Sequence, residues 1–283
     1  MPRILGIGDN TVDVYVNEAM QYPGGNAVNV AVQVRRAGAE ASYLGCLGSD
    51  ALGQLLHDSL VAEGVDVSHV RRIEGLNARA VVLHRDRDRK FLGSRKGVRG
   101  QYGLAEADDA FVAAHDLAHT SINSDLDAEL PRLSRHARLL SYDYSEHWRR
   151  PGTAETFRHV DIAFLSFPQG TEAECHETMR WCAAGGVGLV VLTRGALGAQ
   201  ALADGRVTAA GIAPATVVDT LGAGDGFIAG FLVQWLAARD VAAALQAGAR
   251  QAAAVCGYKG GYGHGVPATL TDDDREKMQA ALA

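Results

Sequence analysis

The sequence predicts an α/β protein in three layers, α/β/α, around a mostly parallel central sheet, and three observations carry that prediction. Short apolar runs at residues 4–7, 43–47, 117–121, 139–142, 162–166 and 189–193 alternate with segments of helical periodicity. Strand–helix units repeated in this way pair in parallel, because each crossover returns the chain to the same end of the sheet, and the helices then cover both faces. Hydrophobic residues fill 47% of the 283 positions, enough to bury such a sheet on both sides. No repeat or linker composition interrupts the pattern, so 1–283 reads as one domain with any ligand at the carboxyl ends of its strands.

The first run, 4–7, ends at Gly8 and Asp9, and a helix over 27–37 follows, with Gly38 as a left-handed cap. The strand 43–47 leads to a helix that Ser49 or Asp50 can cap; Leu52, Leu55, Leu56 and Leu60 share one of its faces and Gly64 ends it. The rhythm then breaks. Residues 78–84 and 90–92 flank the charged turn Asp86-Arg87-Asp88, which reads as a β-hairpin with Arg79, Val81 and Leu83 on one side and Ala80, Val82 and His84 on the other. A hairpin inserted here is either an extension of the sheet edge or a lid over a site. After residue 193, segments 199–202 and 207–210 straddle Asp204-Gly205, and two Ala-rich helices follow at 224–238 and 240 to about 256. Asp272, Asp273 and Asp274 open a last helix, where acids favour the helix dipole.

Acids outnumber bases 33 to 27, a net charge of −6, whereas a surface that neutralises phosphates needs the opposite balance; no nucleic acid is expected as a partner. The longest uncharged stretches, 181–193 and 226–238, are too short to span a bilayer, and Asp9 interrupts the first apolar run, so neither a membrane nor a secretory leader is expected and the location is cytoplasmic. Cys46, Cys175, Cys182 and Cys256 lack CxxC spacing and read as reduced core thiols. Thr11 stands where a third dinucleotide-binding glycine belongs, and neither GxxxxGK[ST] nor GxSxG occurs. His115 and His119 have zincin spacing, but Asp116 lies between them and no third ligand is evident.

Two glycine-rich turns survive. Asp219-Thr220-Leu221-Gly222-Ala223-Gly224-Asp225-Gly226 runs into an apolar helix, whose free N–H groups and dipole suit an anion. A carboxylate at Asp225 repels that anion unless the chemistry requires a base, as phosphoryl transfer to a hydroxyl does. The second turn, Pro23-Gly24-Gly25-Asn26-Ala27-Val28-Asn29, opens the first helix with two amides at i and i+3, and Asp9 and Asp13 add carboxylates. Neutral amides beside carboxylates suit a polyhydroxylated ligand.

GGNxxN near the N-terminus with DTxGAGDxFxxG near the C-terminus resembles the ribokinase (PfkB-type) family of sugar kinases; Asp219, Thr220, Gly222, Ala223, Gly224, Asp225, Phe227 and Gly230 all fit the second motif. The resemblance covers the chain and implies a ribokinase-like fold with a small β lid, formed by about 10–20 and 78–98. It implies ATP and Mg2+ as cofactors, Asp225 as catalytic base, and Gly222, Ala223 and Gly224 as anion hole. It places the sugar on Asp9, Asp13, Gly24, Gly25, Asn26 and Asn29. It places the nucleotide on Thr193, Arg194, Gly195, Gly198, Asp219, Thr220, Gly222 and Gly224, with Gly257 in the segment 252–261 beside the adenine. Some members hold a monovalent cation such as K+, here at Asp219 and the Leu221 carbonyl, and many dimerise through the lid. One departure is clear: where the family carries NxxE, this chain has Ser166-Phe167-Pro168-Gln169, with Glu172 or Glu174 nearby.

Within the family the N-terminal segments 8–15 and 22–31, Tyr142-Asp143-Tyr144-Ser145 with Trp148, and the altered Ser-x-Pro-Gln are most similar to the fructoselysine 6-kinases. These phosphorylate the 6-hydroxyl of fructose joined to an amino acid. The amino-acid end would want acids and an aromatic wall, which Asp143, Glu146 and Trp148 either supply or leave as a solvated loop. The alternatives are a fructokinase, ribokinase or nucleoside kinase, and, from another class, a non-catalytic sensor on the same fold.

Overall fold

The computed structural model describes residues 1–85 and 88–282. Its main sheet has eight strands in the order Arg206–Ala210, Ala199–Ala203, Leu189–Thr193, Ile162–Ser166, Leu140–Asp143, Leu117–Ser121, Arg3–Ile7 and Glu40–Leu44. The last six pair in parallel, and only the hairpin that follows Thr193 adds antiparallel strands at one edge. Alternate side chains enter opposite layers, as the two-residue strand period requires: Ile162, Phe164 and Val191 join one core, whereas Ala163, Leu165 and Leu192 join the other. Helices Asn26–Arg36, Ala223–Ala238 and Val241–Val255 cover the first face, and Leu130–His136 and Glu172–Ala184 the second. Because the chain leaves Arg3–Ile7 toward Glu40–Leu44 on one side and resumes at Leu117–Ser121 on the other, a crevice opens at the carboxyl ends of the strands between them.

Most elements lie within a residue or two of the expected bounds. The predicted strand 43–47 is instead split: Glu40–Leu44 belongs to the main sheet, while Cys46–Gly48 pairs with Arg71–Ile73 in a separate two-stranded sheet. The break frees the Tyr43 hydroxyl to donate to the Gly8 carbonyl (2.8 Å). Asp50, not Ser49, caps Ala51–Ala62 by accepting from the Gly53 N–H.

A five-stranded sheet stands over the crevice, in the order Val266–Pro267, Met20–Gly24, Thr11–Tyr15, Arg79–Arg85 and Asp88–Arg95. The expected hairpin is present, its first strand shifted by one residue and its second lengthened; residues 86 and 87 of its predicted turn lie outside the described residues. Ala80 and Val82 pack with Tyr15, Tyr22 and Leu221 on the crevice side, whereas Val81 and Leu83 face Leu270, Met278 and Ala281. The outer face of this sheet is therefore covered by the last helix, Asp272–Leu282. Asp274 does more there than favour a dipole. It is fully buried, accepts from the Thr271 N–H (2.8 Å) and pairs with Arg79 of the hairpin (3.0 Å). Among the described residues, no helix is long and apolar enough to cross a membrane.

Candidate active site

Two helix N-termini meet at Asp225. From the start of Asn26–Arg36, Asn26 Nδ2 donates to Asp225 Oδ1 (2.7 Å) and Asn29 Nδ2 to Oδ2 (2.6 Å), so the i, i+3 spacing does put both amides on one face. Asn26 Nδ2 also donates to Asp143 Oδ2 (2.9 Å). Its other end is fixed by His119, whose Nε2 lies 3.1 Å from Asn26 Oδ1. An amide oxygen only accepts, so Nε2 carries the proton and Nδ1 accepts from the Ser141 hydroxyl (2.8 Å). Burial pushes His119 down to about 3, which keeps the ring neutral.

Asp9 holds the helix itself. Its carboxylate accepts from the N–H groups of Asn26 (2.7 Å) and Ala27 (3.3 Å) and from the hydroxyls of Ser121 and Ser124. Asp13 lies in the same crevice and is only 3% exposed. Gly24 leaves it room: a Cβ there would lie 2.8 Å from Asp13 Oδ2. Burial pushes Asp225 up to about 6, against the bond from Asn29; it raises Asp13 to about 7, against the Arg89 guanidinium, and Asp143 to about 7 with help from Asp225. Three carboxyl groups in one crevice thus titrate close to neutrality, the range that suits a general base.

The turn before Ala223–Ala238 depends on Gly222, which has φ of +78° and no space for a side chain, because a Cβ would approach the Gly261 Cα to 2.7 Å. The Ala223 N–H turns back to the Thr220 carbonyl (3.2 Å), while those of Gly224 and Asp225 have no acceptor among the described residues. Gly224 is exposed with open space beside it. Among the described residues the N–H groups without an acceptor at this turn are therefore those of Gly222, Gly224 and Asp225, while that of Ala223 closes the turn. Arg89 reaches this turn from the small sheet and donates to the Thr220 hydroxyl (2.9 Å). Asp219 is fully buried and bonded to Tyr15, Leu221 and Gly260.

On the other side of the crevice, the Thr193 hydroxyl donates to Leu165 O (3.2 Å) and the Arg194 guanidinium to Gly170 O (2.8 Å), ahead of the one-turn helix Gly195–Leu197 and Gly198. Gly257 follows Val241–Val255, a helix that packs on the edge hairpin, and the adjacent Cys256 carbonyl accepts from Val218 and Asp219. Ser166 ends its strand as expected. Glu174 is engaged in a capping box with Thr171, and Glu172 beside it is exposed.

Trp148 is no aromatic wall. It is 4% exposed, donates to Ser166 O (3.2 Å) and packs edge-on against Phe167. Glu146 lines a surface cavity of about 410 Å³ with Asn123, His147, Arg149 and Arg150. His115 and His119 do not converge, because His115 bonds Ser42 and the Phe111 carbonyl; no three His, Cys, Asp or Glu among the described residues are grouped to hold a metal. The roles of His119 and Arg89 had no local signal. One lies in an apolar strand and the other in a charged hairpin, and only the fold brings them to the crevice.

Comparison with known proteins agrees with this geometry. The profile of the pfkB family carbohydrate kinases matches residues 5–268. The chain is 39% identical over 274 residues to fructosamine kinase FrlD of Bacillus subtilis (strain 168), covering 95% of this chain and 96% of the relative. It is 36% identical over 262 residues to fructoselysine 6-kinase of Escherichia coli (strain K12), covering 93% and 100%. The fold is similar to that of Arabidopsis thaliana ribokinase complexed with ribose and ATP, with a TM-score of 0.79 and 19% identity over 98% of this chain and 97% of that one. A fold, a paired set of glycine turns and relatives matched almost end to end lead to one assignment: the chain belongs to the pfkB family and is a carbohydrate kinase.

Proposed function

We propose that the chain transfers the γ-phosphoryl group of ATP to the 6-hydroxyl of fructoselysine or a related Amadori sugar, with Asp225 as general base. The observation that carries the mechanism is the placement of a half-buried carboxylate, oriented by Asn26 and Asn29, beside two uncapped N–H groups at the open end of a helix. Asp225 accepts the proton of the attacking hydroxyl, and the N–H groups at the 222–225 turn stabilise charge on the transferring group, a contribution typically worth about 100- to 1,000-fold per donor. Asp13, Gly24, Gly25 and Asn29 hold the sugar. Asp9 and Asn26 keep the helix and its amides in place. The nucleotide lies along Thr193, Arg194, Gly195, Gly198 and Gly257, and the small sheet closes over both substrates as a lid that excludes water. The substrate class is supported by the relatives at 39% and 36% identity, which are a fructosamine kinase and a fructoselysine 6-kinase. Asp143 and the cavity at Glu146 with Arg149 and Arg150 offer both signs of charge to the amino-acid end.

Magnesium reaches a kinase on the nucleotide phosphates and keeps water in its shell. The Ser166 to Gln169 segment brings no carboxylate to it, so no residue is assigned to the ion and no step depends on one. We place the enzyme in the cytoplasm. Any homodimer formed through the lid would use its strand edges, because the outer face is covered by the chain's own last helix.

A panel assay of ADP release with fructoselysine, fructose, ribose and a nucleoside tests the reading. Fructoselysine is expected to give the highest kcat/KM, and Asp225→Asn to reduce turnover by at least about 100-fold with nucleotide binding retained. A preference for free fructose or ribose would make the chain a simpler sugar kinase. No sugar-dependent ADP release would make it a sensor.

A further inference from the structure

The family resemblance puts a monovalent cation at Asp219, and the donor set there does not fit one. Asp219 Oδ2 accepts from the Tyr15 hydroxyl (2.5 Å) and the Gly260 N–H (3.0 Å), and Oδ1 accepts from the Leu221 N–H (2.9 Å). A carboxylate oxygen has about two acceptor positions. Oδ2 is therefore saturated, and His84 Nε2 stands 3.9 Å from Oδ1. A bare cation needs several oxygen ligands at once, yet the groups bonded to this carboxylate are all hydrogen-bond donors, with an imidazole beside them.

Positive charge reaches the same turn from the small sheet. Arg89 Nη1 donates to the hydroxyl of Thr220, the residue next to Asp219, and the guanidinium also acts electrostatically on Asp13, Tyr15, Asp225 and Cys256. His84 turns Nδ1 to Glu18 (2.9 Å), which Lys259 holds in turn (2.5 Å), so both ring nitrogens face carboxylates. His84 and Arg89 are partners in the hairpin register and arrive at the turn together. The Thr220 carbonyl in turn receives the Ala223 N–H at the start of the anion-binding helix, which links Arg89 to the geometry of that turn.

We propose that Arg89 supplies the positive charge at the Asp219–Thr220 turn that a monovalent cation supplies elsewhere in the family, so that phosphoryl transfer needs no added monovalent cation and depends on Arg89 as a positioning residue. The proposal concerns the turn and not the identity of the sugar, so it is tested with whichever sugar the chain phosphorylates and, independently, without sugar. The full chain is compared in KCl and in tetramethylammonium chloride of equal ionic strength. The expected results are an unchanged thermal midpoint without substrates and a kcat that differs by less than about twofold. Arg89→Met is expected to lower kcat by about tenfold to a hundredfold, the range for losing one charge-assisted hydrogen bond, with a smaller change in the KM for ATP. Arg89→Lys should keep most of the activity, and guanidinium ion should partly restore Arg89→Ala, which a loss of folding would not permit. Tenfold or greater activation of the wild type by K+, a K+-specific rise in its thermal midpoint, or wild-type kcat in Arg89→Met would each overturn the proposal.

Discussion

Replacing Asn29 by Leu tests whether Asp225 is the base, because in the ligand-free protein it removes one hydrogen bond to that carboxylate, and the accompanying loss of a sugar ligand lowers kcat/KM at every pH without moving its acid limb. Asn29 Oδ1 is buried without a partner, so an aliphatic side chain of similar shape strands no donor there and removes only the 2.6 Å bond from Nδ2 to Asp225 Oδ2. A hydrogen bond to a charged group contributes about 1.5–3 kcal/mol net, and about 1.4 kcal/mol corresponds to one pKa unit. The bond stabilises the carboxylate, so its loss favours the protonated form and raises Asp225 from about 6 by about one to two units. The acid limb of kcat/KM then moves to higher pH by that amount. At pH 7 the ionised fraction falls from about nine-tenths to between about a half and a tenth, and it recovers by pH 9. Since Asp13 and Asp143 titrate in the same range, the displacement of the limb between wild type and variant carries the test, not its absolute position. Coupled measurement of ADP release from pH 5 to 9 reads it directly. A uniform loss across that range, with the limb unmoved, would refute the assignment of Asp225 as the titrating base.

Asp13→Asn should stabilise the ligand-free protein at pH 8 but not at pH 4, because burial raises the native group from 3.8 to about 7 and the stability it contributes is lost as pH rises through that interval; thermal scans at the two values check it, and a gain of equal size at both would count against the placement. His119→Leu removes the bond that orients Asn26 and is expected to lower kcat by about 5- to 10-fold at every pH from 6 to 8, since the ring is neutral throughout; a pH-dependent loss in steady-state assays would contradict a neutral His119. Asp274→Ala breaks the pairing with Arg79 together with the cap at Thr271, at a cost of about 1–2 kcal/mol, and should speed amide exchange in Arg79–Arg85; exchange confined to the last helix would show that the two are not coupled.

Most of the parallel strands of the main sheet were legible because both of its faces are buried there, whereas Glu40–Leu44, with Glu40 and Ser42 among its residues, was displaced in the reading. The anion turn was legible because Gly222 has a backbone conformation that few other residues tolerate, and the amide pair because helical spacing is local. What escaped the sequence is non-local. His119 belongs to an apolar strand and acquires its role from Asn26, 93 residues away. Arg89 sits among other charges in the hairpin and meets Thr220 across 131 residues. Asp274 looked like a dipole acid because the pairing with Arg79 spans 195 residues. Trp148 misled in the opposite way: a large aromatic beside a site reads as a wall until the packing with Phe167 shows it supporting the loop from behind.

The last helix of the chain is fastened to the hairpin and not to the main sheet. Its residues Met278 and Ala281 rest on Val81 and Leu83, and Asp274 is tied to Arg79. A fluorophore or fusion partner attached past Leu282 would therefore ride on the small sheet, and its distance to a label on the main sheet would report how that sheet moves when nucleotide and sugar enter. The same attachment argues against a bulky group placed past Leu282, since a load carried there bears directly on the sheet that we propose closes over the crevice.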